Sequence, residues 1–80
     1  MILNIKYFGV LAEITKKKEE QLVLEGSNMT VQSLRLKMES AYQELNKNNY
    51  SIAIDQAMAG TDTTIKDQDV IAFLPPFAGG

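Results

Sequence analysis

An α+β fold, with a mixed β-sheet packed on one main helix, is predicted by three features of this 80-residue sequence. Strand-like runs occupy both ends, Ile2 to Phe8 and Val70 to Leu74, and a run with helical spacing occupies the middle. The order strand, strand, helix, short strands, strand places the helix most simply on one face of the sheet. A chain of this length is expected to form a single domain, 1–80. Its 45% hydrophobic and 22% charged residues match an ordinary globular protein and suggest neither disorder nor a membrane span.

In the first strand Leu3, Ile5 and Tyr7 share one parity. Glu20 to Leu24 reads as a second strand, expected to pair with the first as a hairpin. The connection, with Leu11, Ala12, Ile14 and then Lys16 to Lys18, exceeds the common hairpin loop of about two to five residues, so a turn of helix or a mobile segment is expected there. Glu25 to Asn28 marks a break. Thr30 is a good N-cap, with Met29 and Leu34 spaced as a hydrophobic staple. Val31, Leu34, Met38, Ala41 or Tyr42, and Leu45 recur on one helical face, opposite Gln32, Arg35, Lys37, Glu39, Gln43 and Glu44, until Asn46 to Asn49 end the helix. Ser51 to Ile54 is a short strand, Ala57 to Gly60 a brief extension or a turn, and Thr63 to Ile65 another short element before the polar turn Lys66 to Asp69. Val70 to Leu74 runs apolar without alternation, as in a strand covered on both faces. If it lies beside the first strand, Ile71 and Phe73 face the helix. Val70, Ala72 and Leu74 then face away, leaving an apolar patch involving Leu74 for a partner protein.

Composition removes most independent chemistry. Eight basic and ten acidic side chains give a net charge of −2, so there is no electrostatic basis for general nucleic-acid binding. Lys16 to Lys18 is offset by Glu19 and Glu20 and reads as a solvated loop. Without cysteine there is no disulfide framework, thiolate zinc site or cysteine nucleophile, and without histidine the usual general base and metal ligand are missing. Asp67 and Asp69 fall short of a calcium loop and read as an ordinary turn. The first residues lack the basic start and long apolar stretch of a signal peptide, so a cytoplasmic protein with no membrane association is expected.

The unusual segment is Leu74-Pro75-Pro76-Phe77-Ala78-Gly79-Gly80. Two prolines cannot donate to a sheet ladder, so they stop the strand and direct the chain outward, making 75–80 a flexible functional tail. At about 3.3–3.6 Å per extended residue, Pro75 to Gly80 spans on the order of 20 Å, enough to enter another protein's active site. Gly79 and Gly80 lack a Cβ and suit a narrow channel. The reactive group would be the terminal carboxylate.

These residues are familiar. The whole chain resembles the ubiquitin-like β-grasp sulfur carriers, and among them the molybdopterin synthase small-subunit family. Asp69 to Gly80 is similar to that family's closing strand and tail, with further support from Tyr7-Phe8-Gly9, Glu13 and Ile52-Ala53-Ile54-Asp55-Gln56. Three positions depart from the family pattern: Ala12 where an arginine is common, Asp55 where an asparagine is common, and Gln68 where a glycine is usual.

The resemblance implies a noncatalytic sulfur-carrier subunit that binds no cofactor alone. A partner adenylyltransferase resembling ubiquitin-activating enzyme uses ATP to adenylate Gly80, and a sulfur donor protein converts the adenylate to a thiocarboxylate. The charged tail then enters the molybdopterin synthase large subunit, in a heterotetramer of two small and two large subunits, and donates sulfur for the dithiolene of molybdopterin. Gly79 gives clearance, Ala78, Phe77, Pro76 and Pro75 guide the tail, and Leu74 with Met58 belongs to the docking surface. A carrier for thiamine thiazole synthesis, a ubiquitin-like protein modifier and a noncovalent binding module are the alternatives.

Overall fold

Ten short elements follow one another in the computed structural model, which describes residues 1–76. They are β1 (Ile2–Tyr7), α1 (Val10–Thr15), β2 (Glu19–Val23), β3 (Asn28–Thr30), α2 (Val31–Ala41), a 3₁₀ turn (Gln43–Lys47), β4 (Ser51–Ile54), β5 (Ala57–Ala59), β6 (Thr64–Lys66) and β7 (Val70–Leu74). Five strands form one sheet in the order β2-β1-β7-β4-β5, and β3 pairs with β6 in a small second sheet. Among the described residues the β1–β7 pair is parallel and the other strand pairs are antiparallel. The fold is therefore α+β with a mixed sheet, as the element order predicts.

The alternation in β1 buries Leu3, Ile5 and Tyr7 on the helix side. Directly across the parallel ladder, Ile71 lies opposite Ile5 and Phe73 opposite Tyr7. Val31, Leu34 and Met38 of α2 close the core over them, joined by Leu11 of α1, Leu45 and Ile65. Each fully buried side chain of this size contributes roughly 1.5–3 kcal/mol by leaving water. Phe73 sits between two aromatic rings, Tyr7 at 5.5 Å and Tyr50 at 5.4 Å between centroids. Thr30 caps α2 by accepting a hydrogen bond from the Ser33 N–H at 3.2 Å.

The long β1–β2 connection contains the helix α1, the first of the two expected alternatives, and Leu11 in it is buried. Three details differ from the sequence reading. The main helix ends at Ala41 rather than continuing to Leu45, because Tyr42 leaves helical geometry at φ −126°, ψ 85°. This bend turns Tyr42 toward the core and leaves Ala41 exposed, while Leu45 reaches the core from the 3₁₀ turn. The break before the helix holds β3, a three-residue strand that gains its partner β6 only from far along the chain. Finally, among the described residues the apolar run of β7 is fully covered on one face only: Ile71 and Phe73 are buried, whereas Val70 is exposed and Ala72 and Leu74 are half-buried.

The turn between β6 and β7 is fixed by its acids. Asp67 accepts from the Ile2 N–H at 2.6 Å and Asp69 from the Lys66 N–H at 2.8 Å. Gln68 between them takes the left-handed backbone (φ 70°) that suits the glycine usual in the resembled family, and its N–H donates to the Ile2 carbonyl at 2.7 Å.

Candidate docking face and tail root

The sheet face opposite α2 is built by the residues that alternate away from the core. Strand register places Lys6 opposite Ala72, Ala72 opposite Ala53, and Ala53 opposite Met58, so these four side chains form one row across β1, β7, β4 and β5. Leu74, two residues beyond Ala72 and opposite Ser51, projects from the same face. Met58 and Leu74, the two docking residues expected from the resemblance, are thus brought to one surface. Met58 is 66% exposed although it is a large apolar side chain, so the described residues supply little cover for it. Leu74 lies outside the buried core cluster. Of their floor, Ala72 follows from the parity of β7, whereas Ala53, which is buried, carries no such signal, since small residues in strands give little. An uncovered apolar face on a chain this small is what a protein partner would bury.

Next to Leu74 lies the root of the tail. The Phe8 N–H donates to the Phe73 carbonyl at 3.1 Å, extending the β1–β7 ladder one residue beyond the end of β1. At Gly9 the chain turns into α1 with φ 56° and ψ −134°, a conformation that glycine tolerates and other residues resist. Pro75 packs against this turn. Phe8 is 46% exposed, which adds an aromatic edge to the root. Pro76 is exposed; Phe77, Ala78, Gly79 and Gly80, expected to carry the chemistry, lie outside the described residues.

Beneath the β1–β2 hairpin, the charge at Glu20 is turned inward rather than into solvent. Glu20 accepts hydrogen bonds from Tyr7, from Tyr42 at 2.9 Å and from Lys17 at 3.1 Å. Burial acts to raise its pKa, but the hydrogen bonds from Tyr7, Lys17 and Tyr42 outweigh it and hold the carboxyl below its ordinary value. Burial, and then the Glu20 carboxylate, push the Tyr7 hydroxyl far up. On the other side of Phe73, the Tyr50 hydroxyl donates to Glu39 and accepts from Arg35, and burial followed by the Glu39 carboxylate pushes it up to about 12. Both tyrosines are neutral hydrogen-bond donors at physiological pH and act as structural groups. Among the described residues no group of three acidic side chains is placed to hold a metal ion, and no helix is long and apolar enough to cross a membrane.

A mixed five-stranded sheet wrapped around one principal helix, with the last strand at its centre, is the ubiquitin-like β-grasp. The sequence profile of the ThiS family matches residues 5–80, and the chain belongs to that family. Three solved structures are similar to this chain. A Pyrococcus furiosus protein assigned as molybdopterin converting factor subunit 1 superposes with a TM-score of 0.86 at 20% identity, over 96% of this chain and 99% of that one. Small archaeal modifier protein 1 from Methanosarcina acetivorans matches at 25% identity over 99% and 96% of the two chains, with a TM-score of 0.76. The complex of molybdopterin-converting factor subunits 1 and 2 from Helicobacter pylori contains a chain matched at 25% identity over the full length of both, with a TM-score of 0.67. The class is thus a small ubiquitin-like sulfur carrier or protein modifier.

Proposed function

We propose that this chain is the sulfur-carrier subunit of a molybdopterin synthase. The observation that supports it most is the placement of the tail root: Leu74 and Pro75 leave the central strand beside an apolar face on which Met58 is exposed and Ala72 half-buried, next to the buried Ala53. A partner that covers this face receives the Phe77-Ala78-Gly79-Gly80 end at the same time. In this reading an ATP-using adenylyltransferase activates the end: a Gly80 carboxylate oxygen attacks the α-phosphorus of ATP, pyrophosphate leaves, and an acyl-adenylate forms. The outer sulfur of a donor protein's persulfide then attacks the acyl carbon and AMP departs; a thiol attacks the donor sulfur of the resulting acyl disulfide, the S–S bond breaks as a new disulfide forms on the donor side, and the thiocarboxylate is released. Docked on the large subunit, which supplies the catalytic side chains, the thiocarboxylate gives its sulfur to a pterin precursor. A dithiolene takes two sulfurs, so two charged carriers serve each product, consistent with a heterotetramer of two small and two large subunits.

A second reading, a ubiquitin-like modifier, draws on the 25% identity to the Methanosarcina acetivorans modifier. It uses the same activated end but closes on a lysine amine as an isopeptide. Intact mass after incubation with an adenylyltransferase, ATP and a sulfur donor tests both, with a Gly80 deletion as control. A gain equal to replacement of one oxygen by sulfur, localised to Gly80 and passed on in the presence of the large subunit, is expected. Lysine-linked adducts without sulfur transfer would favour the modifier, and an unmodified chain beside an active partner would reject both.

A further inference from the structure

Pro75 occupies a space that exists because residue 9 has no side chain. A Cβ built on Gly9 would lie 2.9 Å from Pro75 Cγ, 3.7 Å from its Cβ and 3.8 Å from its Cδ. The first distance is closer than carbon atoms tolerate, so the pyrrolidine ring rests directly on the Gly9 backbone. That backbone is itself held on both sides. Before it, the Phe8 N–H donates to the Phe73 carbonyl; after it, the Gly9 carbonyl accepts from the Ala12 N–H at 3.1 Å, and the Phe8 carbonyl accepts from the Leu11 N–H at 3.1 Å. The left-handed φ of 56° at Gly9 swings α1 aside and opens the place that the ring fills.

We propose that Gly9 and Pro75 form a steric seat that sets the direction in which the tail leaves the sheet, making Gly9 a positioning residue for activation of the Gly80 carboxylate. This role rests on the carrier reading given above. Three constraints converge at the root: the β7 ladder holds Phe73, the proline that follows restricts Leu74 to extended backbone, and the ring of Pro75 has its own φ fixed and is braced against Gly9. The tail therefore begins from a defined point and heading, and fewer bonds need to be ordered when its end enters a partner's active site. Orientation of this kind acts on the chemical step more than on docking, because the apolar face around Met58 is untouched by it.

Gly9→Ala fills the seat and Pro75→Ala empties it. Each is expected to lower kcat for adenylation about five- to tenfold with KM for the carrier within about twofold, and the double variant to be no worse than either single, since one seat is lost only once. Solution NMR supplies a readout independent of activity: contacts between the residue 9 α-protons and the Pro75 ring protons, present in the wild type and lost in Gly9→Ala, which retains the ring. Multiplicative losses in the double variant would overturn the proposal by showing that the two residues act separately. If Gly9→Ala fails to fold, Pro75→Ala carries the test, because Pro75 has no N–H and its replacement breaks no ladder bond; wild-type kcat in that variant would overturn the seat. Wild-type protein that shows the NMR contacts yet accepts no adenylate from a demonstrably active enzyme would instead reject the carrier reading, and this role with it.

Discussion

Asp55 and Val70 bond to each other through both of their backbones and one side chain. The Asp55 N–H donates to the Val70 carbonyl at 2.8 Å, and the Val70 N–H donates back to Asp55 Oδ1 at 3.0 Å. Asp55 stands at φ 49°, where asparagine and aspartate are the most tolerant non-glycine residues. An asparagine, common here in the resembled family, would present the same Oδ1 to the same N–H. The departure at this position therefore preserves an internal contact that pins the β4–β5 turn to the start of β7. Asp55→Asn is expected to leave the thermal midpoint within a few degrees. Asp55→Ala removes the acceptor and a good left-handed residue together, and should destabilise by roughly 1–3 kcal/mol in chemical denaturation.

Gln68 carries the opposite lesson, since its side chain accounts for nothing in a turn whose φ of 70° favours glycine. Gln68→Gly should relieve left-handed strain in excess of the entropy that glycine adds to the unfolded chain. The net gain is about 0.5–1 kcal/mol. For a domain of this size that raises the thermal midpoint by about 2–8 °C. A fall in the midpoint would show that the turn is unstrained.

Acid sensitivity is expected to centre on Glu20. Its carboxyl is depressed in the folded protein from an ordinary 4.5, so its stabilisation is fully present above that value and is lost as pH falls through the folded pKa. Glu20→Gln keeps the shape but not the charge, and should lower stability at neutral pH by about 1–2 kcal/mol. The variant should also flatten the decline of the melting temperature below about pH 4.5. An equally steep decline would assign the acid transition to other carboxylates.

Leu74→Asp separates docking from folding. Leu74 is half-buried on the face away from α2 and outside the core cluster, so the isolated variant should melt within a few degrees of the wild type. Binding to a molybdopterin synthase large subunit should weaken by about 2 kcal/mol or more, roughly thirtyfold, as expected for a charge forced into an apolar contact. Calorimetry of the two proteins decides the matter, and unchanged affinity would remove Leu74 from the interface.

Elements that depend on local pattern were legible in the sequence. The parity of Leu3, Ile5 and Tyr7, the cap at Thr30 and the apolar run Val70 to Leu74 each state their structure within a few residues. The face assignment of β7 followed once it was placed beside β1. What stayed hidden depends on distant partners. Asn28–Thr30 is a strand only because Thr64–Lys66 returns to it. Glu20 looks like a solvated charge until Tyr42, more than twenty residues on, supplies a buried hydroxyl. The end of α2 at Ala41 is set by Tyr42 turning inward, which helical spacing alone does not distinguish from one further turn. On the candidate face, the outward position of Leu74 follows from the parity of β7 and the choice of Met58 from the resemblance, whereas Gly9 meets Pro75 only in three dimensions.

The strand that carries the tail root also joins the two halves of the sheet, for β7 lies between β1 and β4. A nascent chain emerging from the ribosome can form the first hairpin, α2 and the β4–β5 pair, yet Ile5 and Ile52 then lack their cross-strand neighbours Ile71 and Phe73. Closure waits for residues 70–74. A molecule broken off before Leu74 leaves its sheet in two unjoined pieces and is open to proteolysis, whereas one that has closed its sheet has, by that act, also built the platform from which its tail departs.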